Sequence, residues 1–122
     1  MSKINYLLDE HVEHGLRTEL HQQIPDMIVW AVGDPSAPKL GTLDPEILLW
    51  CEANDFSLVT KNRRSMPTHL RDHLTMGRHV RGIFILNPKQ TIGETVEELV
   101  IIWTASEAGE YLDQVVYLPV SG

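Results

Sequence analysis

Acidic side chains follow one predicted strand and open one predicted helix in this chain. Asp9 and Glu10 come directly after the apolar segment 4–8. Asp44 and Glu46 stand at the start of an apolar helix pattern. Carboxylates that converge in a fold repel each other unless a cation, a proton or a basic side chain compensates them. Because oxygen ligands favour a hard ion, the pattern predicts Mg²⁺ or Mn²⁺ held by Asp9 and Asp44.

Helix capping explains the same acids without a metal. Asp9 precedes a predicted first helix, and Asp44 stands where the N-cap of the second helix should be. Each cap would stabilise its helix by roughly 1 kcal/mol. Glu46, in a first turn, is explained equally well by the helix dipole. Both interpretations therefore stay open at this point.

A third acid is missing where it would complete the metal site. The segment after the third predicted strand reads Thr60-Lys61-Asn62-Arg63, so an amide stands at that position. A neutral amide can offer its carbonyl oxygen to a hard ion, but it lacks the negative charge, and Arg64 adds a positive charge nearby. Asn62 therefore weakens or abolishes the site.

Strand and helix patterns alternate along the whole chain. Apolar runs predict strands, and four-residue apolar spacing together with the Thr91–Glu94 capping box predicts helices between them. This order predicts an α/β fold with three α/β/α layers, a mostly parallel five-stranded sheet and right-handed crossovers. In such sheets ligands bind beyond the carboxyl ends of the strands. The predicted strands are 4–8, 27–32, 56–60, 82–86 and 114–118.

Length and composition indicate one domain, residues 1–122, with an ordinary core. No apolar run is long enough for a membrane span or a signal peptide, so we expect a cytoplasmic protein. Cys51 is expected to be a small buried hydrophobe without chemistry.

The charge is unevenly distributed. The chain carries a formal charge of −7, but residues 61–81 contain six Lys and Arg against the single acid Asp72. Such a segment can attract a polyanion such as RNA to one face of the protein. A solvated helix and its loops would explain the segment equally well.

Three segments together resemble the successive motifs of small prokaryotic PIN-like proteins. They are Tyr6-Leu7-Leu8-Asp9-Glu10-His11, Leu43-Asp44-Pro45-Glu46-Ile47-Leu48 and Leu58-Val59-Thr60-Lys61-Asn62-Arg63. Their order and approximate spacing match from Ile4 to about Leu86. The third motif departs from the family pattern, in which an acid usually stands at the position of Asn62.

The resemblance implies a PIN-type fold and, by analogy with VapC-type toxins, a divalent-metal endoribonuclease. RNA would be the substrate, and an antitoxin protein and a second copy of the chain are the further partners predicted. The expected catalytic residues are Asp9, Glu10, Asp44, Glu46 and Asn62, with Glu10 or Glu46 orienting the attacking water. The expected substrate-binding residues are Thr60, Lys61, Arg63 and Arg64, of which Thr60 would also hydrogen-bond a ligand carboxylate.

Functions other than a nuclease require other residues. A PIN-like domain without catalysis could act as a binding module for RNA or protein. A receiver domain needs a phosphorylated Asp after its third strand, where this chain has Asn62. His69 and His73 are four residues apart and would share a helix face, but no third metal ligand stands at motif spacing.

Overall fold

The structure is a computed structural model that describes residues 3–120. Five strands alternate with four helices in it. The strands are β1 (Tyr6–Leu8), β2 (Val29–Ala31), β3 (Ser57–Thr60), β4 (Ile83–Ile85) and β5 (Val115–Tyr117). The helices are α1 (His14–Gln23), α2 (Asp44–Asn54), α3 (Met66–Thr75) and α4 (Ile92–Ala105).

All five strands are parallel and form one sheet in the order β2-β1-β3-β4-β5. The central strands β1 and β3 are buried on both faces, although β3 begins and ends with the polar residues Ser57 and Thr60. β1 pairs with β3 in a register that places Leu7 opposite Leu58 and Leu8 opposite Val59. Leu7, Leu58 and Val59 have no exposed surface.

Helices cover both faces of the sheet, so the predicted three-layer α/β/α fold is confirmed. α1 and α4 pack on one face around Tyr6, Phe84 and Leu99. α2 and α3 pack on the other face around Leu48 and Leu58. Cys51 of α2 is fully buried, and burial raises the pKa of its thiol. Cys51 is therefore a core residue, as predicted.

One crossover has the opposite hand to the other three. The chain advances in the same direction from β3 to β4 and from β4 to β5, but α3 and α4 cover opposite faces. The prediction that every crossover is right-handed is therefore wrong for one of them. Two contacts hold α4 on the α1 face: Tyr6 donates to the carbonyl of Leu99, and Trp103 donates to the carbonyl of Ile4, both at 2.9 Å.

Element boundaries differ from the predicted ones mainly at the ends. β2 is confined to Val29–Ala31, shorter than the apolar run 27–32. The capping box at α4 is confirmed, since Thr91 and Glu94 exchange both hydrogen bonds. At α2 the N-cap is Leu43, and Asp44 is the first helical residue. The prediction that Asp44 caps α2 is therefore wrong, and its carboxylate is free for other contacts.

The fold brings the chemically interesting residues to one edge. Because all strands run in parallel, their carboxyl ends lie along the same edge of the sheet, here called the carboxyl edge. Asp9 follows β1, Asp34 lies beyond β2, Asn62 beyond β3, and Asn87 beyond β4. No helix within residues 3–120 is both long and apolar enough to cross a membrane.

The opposite edge contains an ion pair whose protonation should be measurable. His79 Nδ1 lies 2.7 Å from Asp113 Oδ2, and this hydrogen bond raises the pKa of the exposed His79. Its stabilising contribution is fully present below the unfolded pKa of His, about 6.5, and is lost as the pH rises through the higher folded value. In an NMR titration, Asp113→Asn should lower the pKa of His79, while the amide oxygen can still accept the Val80 N–H bond. An unchanged titration would contradict this assignment.

Candidate functional site

The carboxylate of Asp9 is held in place by β1 and β3. The pairing of Leu8 with Val59 brings the next residue of each strand, Asp9 and Thr60, side by side. Thr60 Oγ1 donates to Asp9 Oδ2 at 2.8 Å, and the Glu10 backbone N–H donates to Asp9 Oδ1 at 2.8 Å. The structure therefore contains the expected hydrogen bond from Thr60 to an acidic residue of the site.

Asn62 links this pair to Asp44. Its backbone N–H donates to Thr60 Oγ1 at 3.1 Å, and its Nδ2 donates to Asp44 Oδ2 at 2.9 Å. Hydrogen bonds thus run without interruption from Asp9 through Thr60 and Asn62 to Asp44, a set we call the Asp9–Asp44 network. It joins residues that are far apart in sequence and contains both acids predicted to bind metal.

The orientation of the Asn62 amide differs from the one expected for a metal ligand. Its Oδ1 accepts the Ser65 backbone N–H at 3.1 Å, next to the start of α3, and its Nδ2 also donates to Ser65 Oγ at 2.7 Å. Asn62 therefore presents its donors to Asp44 and its carbonyl to Ser65. In this arrangement the Asn62 carbonyl cannot support an ion beside Asp44 as expected, because the Ser65 N–H holds the carbonyl and the amide NH2 faces Asp44. Ser65 itself was missed in the sequence.

The other acids are engaged elsewhere. Glu10 Oε1 accepts the Gly41 N–H at 2.7 Å, so this side chain fixes the loop before α2. Glu46 is exposed on α2 and makes no side-chain hydrogen bond within residues 3–120. Asp34 accepts two bonds from Arg17, at 2.7 and 3.3 Å, and the Arg17 hydrogen bond lowers the pKa of Asp34. Within residues 3–120, none of these three side-chain carboxylates hydrogen-bonds to a residue of the Asp9–Asp44 network.

The two histidines of α3 lie in different surroundings. His69 Nε2 is 3.7 Å from Asp44 Oδ2, and both side chains are about one quarter exposed. His73 is buried, and its Nε2 lies 3.0 Å from the carbonyl of His79 and 3.1 Å from Glu52 Oε1. Within residues 3–120 no group of three or more His, Cys, Asp or Glu side chains could hold a metal ion. His69 lies beside Asp44, whereas His73 lies beside Glu52.

The basic segment does not form one face. Lys61, Arg63 and Arg64 follow β3 and lie at the carboxyl edge. Arg78 and Arg81 lie before β4 at the opposite edge, where they pair with acids. The sixth basic residue, Arg71, is exposed on α3, so the carboxyl edge keeps three of the six residues predicted to attract a polyanion.

The residues at this end of β3 differ in their contacts. Lys61 forms an ion pair with Glu13, and both side chains are about half exposed. This bond lowers the pKa of Glu13. The Arg63 guanidinium lies 5.8 Å from the ring centroid of Tyr117, and Arg64 is exposed. Arg63 and Arg64 form no ion pair with any residue from 3 to 120, so their charges remain available to an anion.

Asp9 and Asp44 of the network are the residues that could hold a hard divalent ion. Mg²⁺ is commonly held by one or two carboxylates together with water and substrate phosphate oxygens. Asp9 and Asp44 supply two carboxylates, and Asp44 is 24 % exposed, so solvent and substrate can reach it. Because no third acid among residues 3–120 joins them, water and substrate phosphate oxygens would have to complete the coordination.

Comparisons with known proteins add no relative. No protein-family model matches the chain, and no curated protein and no solved structure matches it. The resemblance to PIN-like proteins therefore stays a prediction carried by the three sequence motifs.

Proposed function

We propose that this protein is a divalent-metal-dependent endoribonuclease of PIN type. The observation that carries the proposal is the Asp9–Asp44 network, which joins two carboxylates beyond the ends of parallel strands. Ligand sites in this architecture lie at that place in the fold. The three basic residues beside the network favour a polyanionic substrate.

Asp9 and Asp44 would hold Mg²⁺ or Mn²⁺. When bound, the ion would polarise the phosphate and activate a water molecule for phosphodiester hydrolysis. Thr60 fixes the orientation of Asp9, and Asn62 fixes that of Asp44. Glu10 is not assigned to water activation, because its carboxylate already accepts the Gly41 N–H. Glu46 makes no contact with any residue from 3 to 120 that favours this role.

Lys61, Arg63 and Arg64 would bind the RNA backbone. Basic side chains attract phosphates without reading the base sequence, so the site would have little sequence preference from these residues. Arg63 and Arg64 carry most of this role, since Lys61 already pairs with Glu13. As in the sequence resemblance, an antitoxin and a second copy of the chain remain proposed protein partners.

A second candidate function is a catalytically silent PIN-like module that binds RNA or a protein partner. The observation that favours it is the hydrogen bond from Asn62 Nδ2 to Asp44 Oδ2. This bond compensates Asp44 without a cation, which a third carboxylate in the same place could not do. The basic residues at the carboxyl edge would then serve binding alone.

RNA cleavage distinguishes the two candidates. We expect the full chain to cut single-stranded RNA in Mg²⁺ or Mn²⁺ and to lose that activity in EDTA. Cleavage that persists in EDTA would contradict metal dependence. If no RNA is cut with either ion while RNA still binds, the silent module is the correct function.

RNA binding should depend on salt through Arg63 and Arg64. Replacing both by Ala should weaken RNA binding and make the slope of log K against log salt shallower by about 1.4, since each single-strand phosphate contact contributes about 0.7. The matched control replaces Arg78 and Arg81, which removes the same two charges from the opposite edge. Equal effects of the two double variants in a fluorescence anisotropy titration would contradict the assigned surface.

A further inference from the structure

A cavity of about 270 Å³ opens beside the Asp9–Asp44 network. It lies between the starts of α1 and α4, next to the residue that follows β3. Its apolar walls include Leu16, Leu86 and Ile92. Ligand pockets usually measure about 300–1,000 Å³, so this cavity suits one small ligand with a compact apolar body.

A buried acceptor in the cavity lining has no partner. Gln90 lines the cavity, and its Oε1 is buried without accepting a hydrogen bond from any residue from 3 to 120. Buried polar atoms are nearly always paired, and an unpaired one is costly. Gln90 does not need this side chain for its turn, because its backbone N–H donates to the carbonyl of Asn87. Because Oε1 is buried, a ligand reaches it once the Gln90 side chain turns toward the cavity, and a ligand N–H donor would then give this oxygen the partner it lacks.

The mouth of the cavity carries two basic side chains. Lys61 and Arg63 both line it, and Arg63 has no acidic partner among the described residues. Glu13 lines the same mouth and pairs with Lys61. An anionic group could take the place of Glu13 at Lys61 and gain Arg63 as a second partner. The rim therefore suits a phosphate.

We propose that this cavity binds a single nucleotide, with the base inside and the phosphate at Lys61 and Arg63. A nucleobase has apolar faces for the walls and N–H groups at its edge for Gln90. Lys61 stands between Thr60 and Asn62, so the cavity adjoins the Asp9–Asp44 network. This inference rests on the proposed function: in a ribonuclease, the cavity would hold one nucleotide of the RNA next to the phosphate that is cut.

Binding of AMP to the full chain in EDTA tests this proposal. Ribose 5-phosphate is the comparison probe, because it carries the phosphate without the base. Isothermal titration should give an affinity for AMP at least about tenfold higher than for ribose 5-phosphate. Equal affinities, or no binding of AMP, would overturn the proposal, since the base would then contribute nothing.

Paired variants place the ligand in the cavity. Ile92→Trp should block the cavity and weaken AMP binding at least about tenfold, whereas Ile101→Trp, exposed on the same helix, should leave it unchanged. Gln90→Met should weaken AMP binding about tenfold, whereas Gln23→Met on α1 should not. AMP affinity that is the same in Ile92→Trp and in the unmodified protein would place the ligand elsewhere and overturn the proposal.

Glu13 provides a variant that should gain affinity. Glu13→Gln removes the negative charge that competes with phosphate for Lys61, so AMP should bind several-fold more tightly. A loss of AMP affinity in Glu13→Gln would contradict a phosphate at this rim.

The cavity and the nuclease can fail separately, because AMP binding in EDTA needs no cleavage. Metal-dependent cleavage without AMP binding would refute the cavity alone. AMP binding without cleavage would refute the nuclease alone.

Discussion

Replacing Asp9 by Asn should lower the rate of metal-dependent RNA cleavage by at least about 100-fold, because the proposed site has only two carboxylates and loses one of them. Substitutions that affect a metal only through its ligands' neighbours already cost about 10- to 100-fold, and Asp9 is a proposed ligand itself. The amide oxygen of Asn can still accept the Thr60 hydrogen bond, but the amide NH2 cannot accept the Glu10 N–H bond, so the fold of the variant must be checked. The measurement is the single-turnover cleavage rate at saturating protein.

The matched control is Asp26→Asn. Asp26 is exposed in the turn before β2, at the opposite edge, and its replacement removes the same single charge. Unfolding curves should show both variants folded. A cleavage rate in Asp9→Asn equal to that in Asp26→Asn would remove Asp9 from the site.

Replacing Asn62 by Asp should make the stability of the protein depend on divalent metal. The new carboxylate can keep its contacts with Ser65, since it can accept the Ser65 N–H and the Ser65 hydroxyl. Its contact with Asp44, 2.9 Å in the wild type, changes from a hydrogen bond to a repulsion between two like charges. In EDTA at pH 7 we expect a loss of about 1–2 kcal/mol, or roughly 5 °C in Tm.

Mg²⁺ or Mn²⁺ should restore the stability of Asn62→Asp, because the cation replaces the repulsion by two attractions. Without metal, stability should rise as the pH falls, because one carboxyl of the pair then gains a proton and the repulsion ends. The control is Asn54→Asp, which adds the same charge at the exposed end of α2. Its stability should not change when Mg²⁺ or Mn²⁺ is added. If Asn62→Asp loses stability and millimolar Mn²⁺ does not restore it, the two positions do not share a metal site.

The layered fold could be predicted because each strand and helix has a distinct sequence pattern. Apolar runs marked the buried strands, and the Thr91–Glu94 box fixed the start of α4. The residues beyond the strands, and with them the position of Asp9 and Asn62, followed from the parallel order alone. The hand of the last crossover could not be predicted from the sequence, because it depends on the contacts of Tyr6 and Trp103 with distant backbone carbonyls.

Details of the site depend on contacts that the sequence does not reveal. The Ser65 N–H decides the orientation of the Asn62 amide. Glu13, the residue before α1, forms an ion pair with Lys61 and so decides whether the Lys61 charge is free to bind an anion. The nucleotide cavity was missed because its lining comes from α1, the end of β3 and the start of α4.

The most direct test of the Asp9–Asp44 metal site is paramagnetic broadening by Mn²⁺ in NMR spectra of the wild type. The amides of Glu10 and Asn62, which donate to Asp9 and Thr60, should broaden first. The Val80 amide, bonded to Asp113 at the opposite edge, should stay sharp. The predicted result is selective broadening at the first two amides that disappears in Asp9→Asn. Absence of broadening, or broadening at Val80 equal to that at Glu10, would contradict a metal site at this edge.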